Sequence, residues 1–307
     1  MDINDGIEIA KNLVSPVEKL LVTVASAIGK IYEPIHINRI ANAIRDNIDI
    51  PIAYNDSKIS INSENFQELA QRASSRMAFQ ELTKQKNIDN IIYNASEELK
   101  NVKNVSEKPV DKDWVLRFFN SVEDISNEKM QEIWGRILAG EIVAPNSYSY
   151  RAMEALKKMT YSEIKLFEKI SKFVIYSKDN CFIFSKDKLL DKYSITFEEI
   201  LQLEECGLIT AYDLNFSFTV STTEDTFFHN TDICVKISNN SNKEIDTFFD
   251  IYAFTNCGKE LLKVTESEKE SNYLKEYFNT FFPKYQNIDI SFQNIEDINN
   301  GNIFLSK

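Results

Sequence analysis

The hydrophobic period of this chain changes once, near residue 180, and that change limits its possible folds more than any single motif. Up to about residue 175, apolar side chains return at steps of three and four, the spacing of one helix face. Leu13, Val17, Leu20, Val24, Ile28 and Ile31 form the first such stripe, and Ile37, Ile40, Ile44 and Ile48 form the second, which Pro51 closes. The polar "YNDSKISINS" then reads as a linker. A long helix is predicted from about Glu64 to Val102, along Phe66, Leu69, Ala73, Met77, Ile88, Ile91, Ala95 and Leu99, with a bend where "QELTKQKN" is polar on every side. Side-chain caps mark further helix starts. They are Asp111 or Asp113 before "WVLRFFNSV", Ser126 before "NEKMQEIWGRILAGEI", and the Thr160–Glu163 box before "YSEIKLFEKISKFV".

Past residue 180 the pattern becomes that of short strands rich in aromatic and β-branched residues: "NCFIFS", "LITAY", "LNFSFTVST", "DICVKISN", "FDIYAFT" and "NIDISFQNI". A second capping box, Thr196 with Glu199, opens the helix "FEEILQLEEC", and Gly207 stops it. A helix, "LEECGLI", strands and "TNCGKELL" follow the order of a winged-helix module with an enlarged wing. The expected fold class is therefore mainly α, an N-terminal helical bundle followed by a smaller, winged-helix-like α+β domain. The expected domains are a helical hairpin at 1–55, a helical core at 56–178 and an acidic α+β domain at 179–307.

Composition removes several function classes. Only seven glycines in 307 residues argue against a glycine-rich nucleotide-binding fold, and no phosphate loop is present. Two histidines, His36 and His229, leave little material for His-based triads or hydrolytic metal sites. The four cysteines have no metal-ligand spacing, so neither a metal nor another cofactor is expected. The formal charge is −12, and residues 181–307 carry most of it, with no arginine. That surface repels nucleic acid and anionic lipid, and the would-be recognition helix holds Glu198, Glu199, Glu204 and Glu205 without one Lys or Arg. The longest apolar-to-small run near the N-terminus, Leu20 to Gly29, is too short to span a bilayer, and no signal peptide is read, so a cytoplasmic protein is expected.

Three sets of residues stand out. Only seven of the 35 basic residues are arginines, and two of them, Arg136 and Arg151, flank Glu141 in "WGRILAGEIVAPNSYSYR". A buried Arg136–Glu141–Arg151 network joining two helices beside Trp134, Ile137 and Leu138 is the expected reading, with ligand contact the alternative. Arg72, Arg76, Gln80 and Lys84 recur every four residues and form one basic helix face, solvated or available for binding. Leu13, Val17, Leu20, Val24, Ile28 and Ile31 either pack on the helical body or pair with the same helix of a second subunit. Asp232 with Lys236, or Glu266 with Glu268, are the acidic pairs a metal-dependent nuclease would use.

The stretches "LVSPVEKLLVTVASAIGKIYEP", "RASSRMAFQELTKQKNIDNII", "VDKDWVLRFFNSVEDISNEKMQEIWGRILAGE" and "PNSYSYRAMEALKKM" together resemble an uncharacterised bacterial family, the domain of unknown function 2806. The likeness covers roughly residues 13–175 and reaches the acidic region through "LEECGLI" and "TNCGKELL". The family pattern has a glycine after Pro145 where this chain carries Asn146. The opening and the tryptophan helix are also similar to abortive-infection proteins of the alpha type. That resemblance implies a non-enzymatic role in phage defence, as a sensor or protein-binding component that associates with a partner protein or with itself. It supplies no catalytic residues. A nuclease effector and a winged-helix nucleic-acid binder are the alternatives.

Overall fold

The computed structural model describes residues 15–28, 63–178, 180–185, 189–265, 270–299 and 302–305. They divide between two compact units, one up to Lys157 and one from Lys158.

The first unit is helical. α1 (Pro16–Ile28), α2 (Ser63–Leu99), α3 (Lys112–Val122), α4 (Glu128–Val143) and α5 (Tyr150–Lys158) follow one another in sequence. α2 is a single 37-residue helix, unbroken through "QELTKQKN". Its C-terminal half buries Ile88, Ile91, Ile92, Ala95 and Leu99, and α2 packs along α4. The Asp111 carboxylate caps α3 by accepting from the Trp114 amide at 2.8 Å. α4 is capped by Asn127, which accepts from the Met130 amide, one residue later than the Ser126 expected. An Asn carbonyl and a Ser hydroxyl serve equally well at such a position, so sequence alone decides poorly between neighbours.

The second unit begins with α6 (Tyr161–Ser171), whose Thr160–Glu163 capping box forms as read. It continues with β1 (Ile175–Ser177), β2 (Asn180–Phe184), α7 (Leu189–Lys192), α8 (Phe197–Glu205), β3 (Ile209–Val220), β4 (Thr226–His229), β5 (Ile233–Asn239) and β6 (Ile245–Phe254). α9 (Asn256–Leu262), α10 (Ser271–Phe281), a 3-10 turn (Phe282–Lys284), β7 (Ile288–Asn299) and β8 (Asn302–Leu305) complete it. The Thr196–Glu199 box opens α8, and Gly207 closes it at φ +74°. The Leu208 amide bonds the Leu203 carbonyl and the Gly207 amide bonds the Glu204 carbonyl, the paired bonds of a left-handed helix stop.

The expected mainly α, winged-helix-like fold is corrected here. All eight strands join one antiparallel sheet in the order β3-β6-β2-β1-β4-β5-β7-β8, so the chain is a mixed α/β protein. Of these, β2, β5, β6 and β7 fall on stretches read as strands, the two stretches "LITAY" and "LNFSFTVST" form the single β3, and β1, β4 and β8 were not read; the order was not legible either, because β3 pairs with β6 across the intervening β4–β5 hairpin. α10 fills one face of the sheet. Phe184 stacks on Tyr277, and Phe228 and Phe249 both meet Phe278. The buried Tyr273 hydroxyl accepts from the Phe184 amide at 2.8 Å and donates to the Phe184 carbonyl at 3.3 Å. The aromatic strand residues therefore build the core around one helix rather than a wing.

Gly258, in α9, lies so close to the Leu208 backbone that a Cβ would meet the Leu208 carbonyl oxygen. That oxygen already accepts the Thr255 amide at 3.0 Å. Gly258→Ala should therefore cost about 2–3 kcal/mol. A lower urea midpoint, followed by circular dichroism, checks this; an unchanged midpoint would mean that α9 can slide away.

Candidate functional site

The stretch from Trp134 to Arg151 is built as a joint between α4 and α5. Trp134 is fully buried and sits edge-on to Phe118, with ring centroids 5.6 Å apart; Phe118 stacks on Trp114 at 5.2 Å. Gly135 lets α2 approach, since a Cβ there would fall 2.6 Å from the Cβ of Asn94. A Cβ on Gly140 would fall 2.8 Å from the Tyr148 ring, so that ring packs directly on the α4 backbone. Trp114 donates its indole N–H to the Tyr148 carbonyl at 2.7 Å, which fixes the far side of the turn.

Glu141, only 1% exposed, closes the joint. Its carboxylate accepts the backbone amides of Asn146 at 2.5 Å, Ser147 at 2.9 Å and Tyr148 at 3.1 Å. Asn146 takes φ +72°, the left-handed conformation that Gly adopts freely and Asn tolerates best among the others. Asn146 thus makes the tight turn after Pro145. Nearby, Lys19 on α1 donates to the carbonyls of Ser106 at 2.7 Å and Ile142 at 2.8 Å. Burial lowers the pKa of this ammonium and the Glu141 charge opposes that shift.

The arginines expected around Glu141 lie on the two helices that the turn joins. Arg136 is half-buried on α4, and Arg151 is exposed on α5. Three main-chain donors hold the Glu141 carboxylate, and sequence spacing carries no sign of main-chain donors. Another arginine, Arg117, stacks on the Tyr150 ring at 4.4 Å, and the Tyr150 hydroxyl donates to Asp111 at 3.2 Å.

The α1 stripe turns toward the body. Leu20 and Val24 are fully buried, Val17 is half-buried, and α1 packs against α2, α3 and α4. Leu13, Ile31 and the Ile28 side chain lie outside the described residues.

The basic face of α2 is divided. Arg72, Arg76 and Gln80 are exposed, but Lys84 pairs with Glu123 at 2.8 Å, and that hydrogen bond raises its pKa. Lys84 lies in a shallow groove of about 420 Å³ with Phe79, Gln80, Asn87, Glu123 and Ser126. Unforeseen in the sequence is the condition of α2 around these residues. From Gln71 to Leu82 every side chain except Ala73 is exposed, including Met77 at 61%, Phe79 at 41% and Leu82 at 62%. The stripe that buries Ile88 and Ile91 continues through Met77, which is exposed, while Phe79 and Leu82 lie on the opposite face of the helix.

The acidic candidates of the second unit have structural partners. Lys236 pairs with Asp225 at 2.7 Å, and Asp232 accepts the hydroxyls of Thr231 and Ser271. On α8, Glu199 holds Lys169 at 2.7 Å and Glu204 accepts the Ala211 amide at 2.8 Å. Glu266 and Glu268 lie outside the described residues. Among the described residues no group of His, Cys, Asp and Glu is placed to hold a metal ion, and no described helix is long and apolar enough to cross a membrane. Burial pushes the Cys206 and Cys234 thiols up to about 11.

Because Glu141 satisfies three amides with two oxygens, Glu141→Gln should cost about 2–3 kcal/mol, while Arg151→Ala, at an exposed site, should stay within about 0.5 kcal/mol. Asn146→Gly should be neutral or stabilising by up to about 1 kcal/mol, and Asn146→Ala should lose about that much. Chemical denaturation of the four variants tests the set. A large loss in Arg151→Ala with none in Glu141→Gln would return the lock to the arginine.

Residues 71–277 match the profile of a family described as a protein of unknown function, DUF2806. The matched span begins inside α2 and runs through β1–β6 to Tyr277 in α10, leaving out β7 and β8. No curated protein and no solved structure matches the chain.

Proposed function

The chain belongs to the DUF2806 family, and on that premise we propose that it is a non-enzymatic, protein-binding component of bacterial phage defence that docks through the exposed half of α2. One observation carries the docking reading. Leu69, Met77, Phe79 and Leu82 are exposed on a helix whose other half is core. Scattered apolar side chains are ordinary on a surface, but Phe79 and Leu82 lie one turn apart on one face of this helix, with Met77 and Leu69 exposed beside them along its length. Arg72 shares the Phe79 face, and charge beside apolar groups is the usual make-up of a protein interface. The defence role is proposed from the resemblance read in the opening and the tryptophan helix to abortive-infection proteins, a resemblance of sequence pattern alone. Of the residues a nuclease would use, Lys236 pairs with Asp225 and Asp232 accepts the Ser271 hydroxyl, which supports the non-enzymatic reading.

Cells carrying the gene should resist at least some phages, and Met77→Glu with Phe79→Glu and Leu82→Glu should abolish that resistance. The triple variant should keep its helicity and melting temperature, because exposed positions rarely change stability by more than about 0.5 kcal/mol. Full protection by the triple variant would sink the docking reading. Cleavage of DNA or RNA by purified protein with Mg²⁺ or Mn²⁺, lost on Asp232→Asn, would sink the non-enzymatic one.

A further inference from the structure

We propose that the outward face of α2 is a homodimer seam, on which the chain pairs antiparallel with a second copy of itself; this rests on the reading of the exposed half of α2 as a docking element. The seam consists of Glu68, Arg72, Ser75, Phe79, Leu82 and Lys86. Their steps of four, three, four, three and four keep them on one stripe over more than two heptads. At 100° per residue that stripe lies opposite Ile88, Ile91 and Ala95, which are buried in the unit's own core. The same helix can therefore fill the core and the seam without rotating.

The order of residue types selects the partner. The two largest apolar groups, Phe79 and Leu82, lie toward the centre of the stripe, and opposite charges close its ends. In an antiparallel pair centred on the level of Met77, Glu68 faces the partner's Lys86, and Lys86 faces the partner's Glu68. Ser75, a small residue, faces the partner's Phe79 and leaves room for the ring. Arg72 faces the partner's Leu82, over which its methylenes can lie. A parallel pair at the same level would oppose Glu68 to Glu68, Arg72 to Arg72 and Lys86 to Lys86, three like-charge contacts. The stripe is thus complementary to its own reverse, the requirement of a two-fold interface.

Light scattering and sedimentation on the full-length protein test the seam. The expected mass is that of a dimer, and Phe79→Glu with Leu82→Glu should raise its dissociation constant by roughly 100-fold or more while circular dichroism is unchanged. Glu68→Lys alone and Lys86→Glu alone should each weaken the dimer, and the two together should restore it, because only the antiparallel pair brings these positions face to face. Glu68→Cys with Lys86→Cys should form inter-chain disulfides under oxidation. A monomer at every concentration, a dimer indifferent to the Phe79 and Leu82 changes, or a double charge reversal that fails to restore pairing would each overturn the proposal. A monomer whose phage resistance is still lost in the glutamate variants would remove self-pairing and leave the docking reading standing. A dimer broken by those variants with resistance intact would support the seam and remove docking from the defence role.

Discussion

One buried carboxylate organises the helical unit. Glu141 is the last strongly polar side chain of α4 before the turn, and it spends both oxygens on the amides of Asn146, Ser147 and Tyr148. An ionised carboxylate at 1% exposure would be costly without partners, so the turn must bring those amides together whenever the helix packs. With the turn fixed, Tyr148 lies over Gly140, and its carbonyl receives the Trp114 indole N–H. α3, α4 and the start of α5 are thereby tied through one short segment. Lys19 carries the same region to α1 through the Ile142 carbonyl, next door in sequence to Glu141.

This arrangement explains what could and could not be read from the residues. The importance of "WGRILAGEIVAPNSYSYR" was legible, and so was the place of Trp134, Ile137 and Leu138 in the core. The three amides that Glu141 accepts were not, because a sequence displays side chains and these are main-chain donors. Capping boxes at Thr160 and Thr196, the Asp111 cap and the stop at Gly207 were legible because each is a local contact within a few residues. The sheet was not. Ile209 pairs with Phe254 and Val220 with Ile245 across the whole β4–β5 excursion, and nothing near either residue announces the other. A helix, a glycine and a strand in "LEECGLI" are common to many α+β arrangements, so the winged-helix order was a local truth with the wrong global assembly.

The acidic surplus of the second unit also reads differently once its partners are known. Glu163 and Glu199 complete capping boxes, Glu204 holds the Ala211 amide, Glu276 takes Lys192 at 2.7 Å, and Asp225 takes Lys236. Thr160 supplies both a backbone and a hydroxyl donor to Glu163 and holds its carboxyl below the usual range. These carboxylates are spread along separate elements and each is engaged locally. They are spent on fold, and net charge alone says little about a site.

α2 poses the opposite problem. Its C-terminal half obeys the rule that an apolar stripe seeks cover, and its N-terminal half breaks it with side chains of the same kind. The helix is continuous from Ser63 to Leu99, so the two halves share one register. Whatever covers Phe79 and Leu82 is therefore oriented by the packing of Ile88, Ile91 and Ala95 on α4, and hence by the joint that Glu141 closes. A helix fixed at one end by a rigid core presents its other end in a defined orientation, and that is the mechanical condition for specific docking rather than general stickiness.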